Sequence, residues 1–268
     1  MAQAGARSCA LTCDIAETRG HDKLLDEAEA ALGPIDCLVN NAGVSVLSRG
    51  DLLDVTPEAN DHCQHVNTRG TFFLTQAFAR RLLARPTPPH HRRVVTITST
   101  NAQAVSIQRG EYCVSKAALS MVSSLFAVRL GGAGIGVYEV MPGLIETEMS
   151  MVSRARYEAE IERGWLVMPR WGRPKEVGRA VATLAQGLLP YTVGQAVRVD
   201  GGMLIHRYGK RSDRATSATS GRGLTQIIFG VARAAIVFAR CSSTAPSPSR
   251  RSSRTAASSG ATRRWKAR

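Results

Sequence analysis

One stretch, Val94 to Lys116, constrains this chain more than any other. It reads V-V-T-I-T-S-T-N-A-Q-A-V-S-I-Q-R-G-E-Y-C-V-S-K. Val94 to Ile97 has the β-branched pattern of a buried parallel strand. Thr98-Ser99-Thr100 then falls at the strand's carboxyl end, the ligand side of an open α/β sheet. A polar loop leads into a helix that carries Tyr112 and Lys116, and residues four apart share one helix face. A chain built around this unit is expected to form a parallel sheet flanked by helices.

The same spacing has a chemical use. A free phenol titrates near about 10 and exchanges protons poorly at neutrality. A cation within ~4–6 Å favours the phenolate. Tyr112, assisted by Lys116, can protonate a carbonyl oxygen as hydride reaches the carbon. Ser99, thirteen residues upstream, can hydrogen-bond the same oxygen. The plain alternative is a Tyr and a Lys on the outer face of an amphipathic helix, and this stretch alone leaves both open.

Three further motifs accompany it in order. Asn40-Asn41-Ala42-Gly43 follows the strand-like Ile35 to Val39. Pro142-Gly143-Leu144-Ile145-Glu146-Thr147 follows the strand-like Gly136 to Val140. Asp200-Gly201-Gly202 closes the series. Together with Ser99 and Tyr112-Cys113-Val114-Ser115-Lys116, this set resembles the short-chain dehydrogenase/reductase family. Within that family it is similar to the bacterial 3-oxoacyl-acyl-carrier-protein reductases, over approximately Cys9 to Ile205.

The resemblance implies a Rossmann-like, doubly wound parallel sheet and reduction of a carbonyl with NAD or NADP. It assigns catalysis to Ser99, Tyr112 and Lys116, with Asn67 holding a water beside the lysine to complete a proton relay. It places Asp14 and Ile15 at the adenine, Asn41, Tyr112 and Lys116 at the ribose side, and Ile145 and Thr147 near the nicotinamide. Each has a plainer reading. Asp14 suits a helix N-cap, Asn41 suits a turn, and an Asn within a helix usually faces solvent.

Along the rest of the chain, Cys9 to Ile15 reads as a short strand, and His21 to Leu32 as an amphipathic helix stopped by Gly33-Pro34. Thr56 and Pro57 open a helix that runs towards Arg85. The Gly-x-Gly-x-Gly in Gly131 to Gly136 follows a helix and opens a strand, the reverse of a dinucleotide loop. It is read as a helix-terminating turn. By the same resemblance Met149 to Trp171 is expected to cover the substrate, with Met151, Tyr157, Trp165 and Met168 as candidate lining; such residues more often serve simple packing, and none is named as a site. Pro174 opens another helix, and Val193 to Asp200 gives the last strand. The adjacent His90 and His91 have no third ligand nearby, so no metal is proposed.

The net charge of +14 suggests nucleic acid until its distribution is considered. Residues 207–268 hold 14 of the 35 Lys and Arg and one of the 21 acids, leaving the remainder near neutral at 21 against 20. The chain is therefore divided into a reductase-like domain, 1–206, and a basic low-complexity tail, 207–268, expected to be disordered. Within the tail, Leu224, Ile227, Ile228, Val231, Ala235 and Phe238 fall at helical spacing. The tail is read either as an arm for nucleic acid or a membrane surface, or as sequence beyond the natural end. The second reading is preferred, because Asp200-Gly201-Gly202 and a short finish usually complete such reductases. Six cysteines without metal spacing fit buried thiols in a reducing cytoplasm, and no membrane span is expected.

The family's opening strand and Gly-rich pyrophosphate loop have no counterpart here. The chain is thus expected to be truncated at the N-terminus, lacking the first β-α-β-α portion and the residue that separates NAD from NADP. Weak nucleotide binding and an exposed apolar sheet edge follow from that expectation. The leading function is reduction of a 3-oxoacyl thioester, small ketone or sugar by a homo-oligomer. The alternative is a catalytically silent pseudo-reductase or subunit-assembly protein.

Overall fold

The structure, a computed structural model, describes residues 8–86, 91–207 and 237–239. Four strands form a parallel sheet: β1 (Cys37–Asn40), β2 (Arg92–Ile97), β3 (Ile135–Pro142) and β4 (Ala196–Val199). A short fifth strand, β5 (Val237–Ala239), pairs antiparallel with β1, giving the order β4-β3-β2-β1-β5.

Side chains along a strand alternate between faces, and here the alternation builds two cores. Leu38, Val94 and Val137 pack towards one side with α1 (His21–Leu32), α3 (Thr71–Ala84) and α4 (Gly110–Gly131), where Leu24, Leu25, Phe78, Leu82 and Leu130 are buried. Val39, Val95, Tyr138 and Val140 face the other side, against Val177, Val181 and Leu184 of α7 (Pro174–Ala185). Helices cover both faces of a parallel sheet, the doubly wound arrangement expected of a chain whose strands read as near-continuous apolar runs.

Local signals set several boundaries as expected. Thr56 Oγ1 accepts the Ala59 N–H at 3.3 Å, and Pro57 takes the first position of α2 (Pro57–Cys63). Gly33, with φ of 83°, ends α1. The glycine run after α4 is a turn, with Gly134 at φ 71° just before β3. Between α2 and α3 the chain winds as a π-helix, Gln64–Gly70. There Gly70 packs so closely that a Cβ would stand 2.5 Å from the Ile15 carbonyl oxygen. Two small helices, α5 (Glu148–Met151) and α6 (Arg154–Glu162), follow β3.

Three expectations require correction. Cys9 to Ile15 is not a strand; among the described residues no strand pairs with it, and a strand exists only through a partner's N–H and C=O groups. The edge of β1, expected to be bare, carries β5. Phe238, placed by its spacing on a helix, lies in that strand, and an unpaired strand edge offers the backbone groups that draw such a segment in. The remainder of the tail beyond Arg207 lies outside the described residues, as does His90. Among the described residues one helix is long and apolar enough to cross a membrane, the run Ile107–Gly131. It contains α4, which packs on the sheet and buries Leu119, Val122 and Leu130.

Candidate active site

The site lies beyond the carboxyl ends of β1, β2 and β3. Where β2 stops, Ser99 turns the chain into a one-turn 3-10 helix, Thr100–Ala102, and its Oγ accepts the Asn101 N–H at 3.1 Å. Thr98 beside it donates to Glu139, a carboxylate buried in the middle of β3. Ser120 of α4 donates to the other oxygen of Glu139 at 2.7 Å. A buried carboxylate demands such donors, and here they fasten the end of β2 to the helix above it.

Tyr112 and Lys116 occupy the first turns of α4, and both are buried on its inner face. Lys116 Nζ donates to the Ile97 carbonyl at 3.3 Å and lies 5.7 Å from the centre of the Tyr112 ring. The Arg109 guanidinium stacks over the same ring at 4.0 Å. Among the described residues the Tyr112 hydroxyl makes no hydrogen bond. The tyrosine and lysine are therefore not on an outer face; they meet Ser99 in one cleft of about 870 Å³.

Asn67 sits behind the cleft, in the π-helical segment, and is fully buried. A π turn carries an extra residue, which shifts the phase of the side chains around it. Asn67 Oδ1 accepts the Val44 N–H at 2.8 Å, and its Nδ2 donates to the Val44 carbonyl at 3.1 Å and to Ser115 Oγ at 2.9 Å. The solvent-facing alternative for Asn67 does not hold, and the residue does not itself line the cleft.

The two asparagines after β1 divide their work. Asn40 is buried, donating to Thr75 Oγ1 at 2.8 Å and Thr96 Oγ1 at 3.3 Å, so it ties β1 to α3 and β2. Asn41 is exposed and opens onto the cleft, followed by Ala42 and Gly43. Asp14 and Ile15 close one end. Asp14 caps a turn by accepting the Ala16 N–H at 2.9 Å, which is not a helix N-cap, while Ile15 is buried. Ile145 and Thr147 close the other end. Ile145 is buried beside Gly172, and Thr147 heads α5 in a reciprocal cap with Ser150. Asp200 braces this end from behind by accepting the N–H groups of Gly202 and Leu204. Gly143 passes so close that a Cβ would stand 2.7 Å from the Asp200 Cα.

The covering segment contributes Tyr157 and Trp165 to the cleft, as expected; Met168 lines a smaller neighbouring pocket, and Met151 lines neither. Sequence reasoning missed Arg49, Arg109 and Arg156, all of which line the cleft. Arg49 donates to the Tyr157 hydroxyl at 3.4 Å. Burial pushes the Tyr157 phenol up, but hydrogen bonding and charge from Arg49 and, to a smaller extent, from Arg109 outweigh it and hold the phenol below its usual value. Arg109 stands three residues before Tyr112, a spacing that could have flagged it; Arg49 and Arg156 come from separate segments with no such signal. Cys63, below the site, is kept a neutral thiol, pushed up to about 11 by burial and then by Glu111.

The lining runs from Asp14 and Ile15, past Asn41 and Lys116, to Ile145 and Thr147. Gly43 packs tightly beside it, since a Cβ there would stand 3.1 Å from Asn67 Oδ1 and 3.4 Å from Lys116 Nζ. Between those ends, no Gly-rich strand–turn–helix borders the cleft among the described residues.

Comparison with known proteins gives the family and the fold. A family model described as enoyl-(acyl carrier protein) reductase matches residues 1–204. A short-chain type dehydrogenase/reductase of Picea abies is 32% identical over 202 residues, covering 75% of this chain and 72% of that protein. The 3-oxoacyl-[acyl-carrier protein] reductase of Brucella melitensis, solved in complex with NAD, is 42% identical with a TM-score of 0.72, covering 74% of this chain and 78% of that one. A gluconate 5-dehydrogenase of Burkholderia cenocepacia, solved in complex with NADP and tartrate, is 30% identical with a TM-score of 0.65, covering 71% and 73%.

Proposed function

Because this chain belongs to the short-chain dehydrogenase/reductase family, and is an NAD(P)-dependent oxidoreductase by that kinship, we propose that its cleft reduces the carbonyl of a 3-oxoacyl thioester or a small ketone. The observation that carries the reading is the convergence of Ser99, Tyr112 and Lys116, from the end of β2 and the start of α4, on one open cleft. NADH or NADPH, held by Asp14, Ile15, Asn41, Tyr112, Lys116, Ile145 and Thr147, would supply the hydride. Tyr112 donates its hydroxyl proton to the carbonyl oxygen, and Ser99 donates a hydrogen bond to the same oxygen as charge develops there. Lys116 holds a positive charge 5.7 Å from the Tyr112 ring, which stabilises the oxygen left by proton donation. Asn67 acts through position, anchoring the Val44 backbone and Ser115 next to the lysine.

The same reading makes the protein a cytoplasmic homo-oligomer. Val114, Met121, Leu125 and Val128 leave an apolar strip exposed on α4, beside Phe73 of α3. Cys9, Cys13, Cys37, Cys63 and Cys113 are all free thiols, which a reducing compartment preserves.

The test is reduction of a panel of 3-oxoacyl thioesters and small ketones, followed through the absorbance of NADPH or NADH at saturating nucleotide. Ser99→Ala and Lys116→Ala are each expected to lower turnover by roughly 10²-fold or more. No turnover with any carbonyl, or turnover indifferent to both changes, overturns the reading. Calorimetric titration of the full chain is expected to show affinity weaker than about 100 μM for either nucleotide, since helix N-terminal phosphate contacts carry much of such binding. Micromolar affinity would show that the described lining suffices without them.

A further inference from the structure

The substrate side of the cleft carries more positive charge than carbonyl reduction requires. Arg49, Arg109 and Arg156 all line it, drawn from the loop after β1, the entry to α4 and helix α6. Among the described residues the only acid in the lining is Asp14, at the far end beside Ile15. None of the three arginines forms an ion pair among the described residues.

Their contacts are with neutral groups. Arg109 Nη1 donates to Asn101 Oδ1 and Nη2 to Ser45 Oγ, both at 3.4 Å, the long end of hydrogen bonding. Its buried Nε has no partner, and its plane stacks on the Tyr112 ring at 4.0 Å. Arg49 reaches the Tyr157 hydroxyl at 3.4 Å, and Arg156, the most exposed, donates to Gln108. Glu111, two residues after Arg109, shares with it the surroundings of Cys63 but forms no ion pair with it among the described residues. Half-buried guanidinium groups are normally paired. Two that converge beside the proton donor with only weak neutral partners form a receptor for an anion.

The geometry points to a substrate that carries a carboxylate a few bonds from its carbonyl: a short oxo acid, held by Arg109 and Arg49 while its carbonyl oxygen meets Tyr112 and Ser99. Arg156 adds charge at the mouth. This assignment rests on the reductase reading for the position of the carbonyl, and it selects among the small ketones that reading allows. Arginine suits the task because its planar fork meets both carboxylate oxygens at once.

The two readings are separated by measuring binding and turnover independently. The probes are 4-oxopentanoate and 4-oxopentanamide, equal in shape and different in charge. Binding to the full chain is followed by quenching of tryptophan emission, since Trp165 lines the cleft. The acid is expected to bind about tenfold or more tightly than the amide, the usual worth of a hydrogen bond to a charged group. The gap should narrow as salt rises and close in the double variant Arg49→Gln/Arg109→Gln. Arg49→Lys/Arg109→Lys, which keeps charge without the fork, should retain part of it. If the glutamine pair unfolds, as read by circular dichroism, the single Arg156→Gln at an exposed position should still cost the acid about two- to threefold. Equal binding of acid and amide, no binding of either, or a preference that survives loss of the arginines overturns the assignment. Tyr112→Phe distinguishes the two ideas. It should keep the acid preference while losing turnover. Full turnover in that variant sinks the reductase reading, whereas loss of turnover without any acid preference sinks only the oxo-acid assignment.

Discussion

Tyr112→Phe is expected to lower carbonyl reduction by roughly 10²- to 10⁴-fold, the range that a positioned general acid contributes. The fold should scarcely notice. The ring remains to pack under Arg109, and the hydroxyl that is lost has no hydrogen-bond partner among the described residues, so no buried donor or acceptor is stranded. A change within about 0.5 kcal/mol of the parent stability is the expectation for such a removal. Activity and denaturant unfolding of the same preparation provide the check. A variant that reduces carbonyls at the parent rate would exclude Tyr112 as the proton donor. A variant that is inactive because it is unfolded would leave the loss of activity explained by structure alone and count against the predicted neutrality.

Asn67→Ala should do the reverse and act first on stability. The amide is fully buried and answers three groups, the N–H and C=O of Val44 and the hydroxyl of Ser115. Alanine removes all three partners at once; Val44 borders the cleft, but the Ser115 hydroxyl is left in a fully buried place, and an unsatisfied buried polar group costs about 1–3 kcal/mol. The three are coupled through one side chain, so their costs will not simply add; a total of about 2–4 kcal/mol is expected. For a domain of this size that lowers the thermal midpoint by roughly 5–15 °C. Asn67→Asp keeps an acceptor for the Val44 N–H but loses both donated bonds, so it should fall between the parent and Asn67→Ala in stability. A midpoint within about 2 °C of the parent for the alanine variant would mean that the network around Val44 is replaceable, and with it the proposed anchoring of Lys116.

Much of the active half was legible from residues. Ser99, Tyr112 and Lys116 could be singled out because a strand end and a helix face are each written in local spacing, two residues and four, and the family resemblance then favoured a site over an outer helix face. The cap at Thr56, the stop at Gly33 and the turn through Gly134 were equally local, since each depends on a side chain or a φ angle at one position. The segment Cys9 to Ile15 was misread for the complementary reason. Its composition permits a strand, but a strand is a relation between two segments, and the sheet places no neighbour beside this one. β5 escaped notice in the same way: three residues of a basic, low-complexity stretch pair with β1, and nothing in their own pattern names the edge they join.

The sequence by itself determined the class of fold and pointed to a Ser, Tyr, Lys trio, because periodicity, capping and the spacing of that trio are properties of neighbouring residues. Tertiary structure alone decided the surroundings. It buried Asn67 through a π turn that shifts the helix phase, seated Glu139 between Thr98 and Ser120, and gathered Arg49, Arg109 and Arg156 from three separate segments around one opening. The physical reason is the reach of each effect. Backbone preferences act over a few residues, whereas the field inside a cleft is summed over charges that only the folded chain brings within a few ångströms of one another.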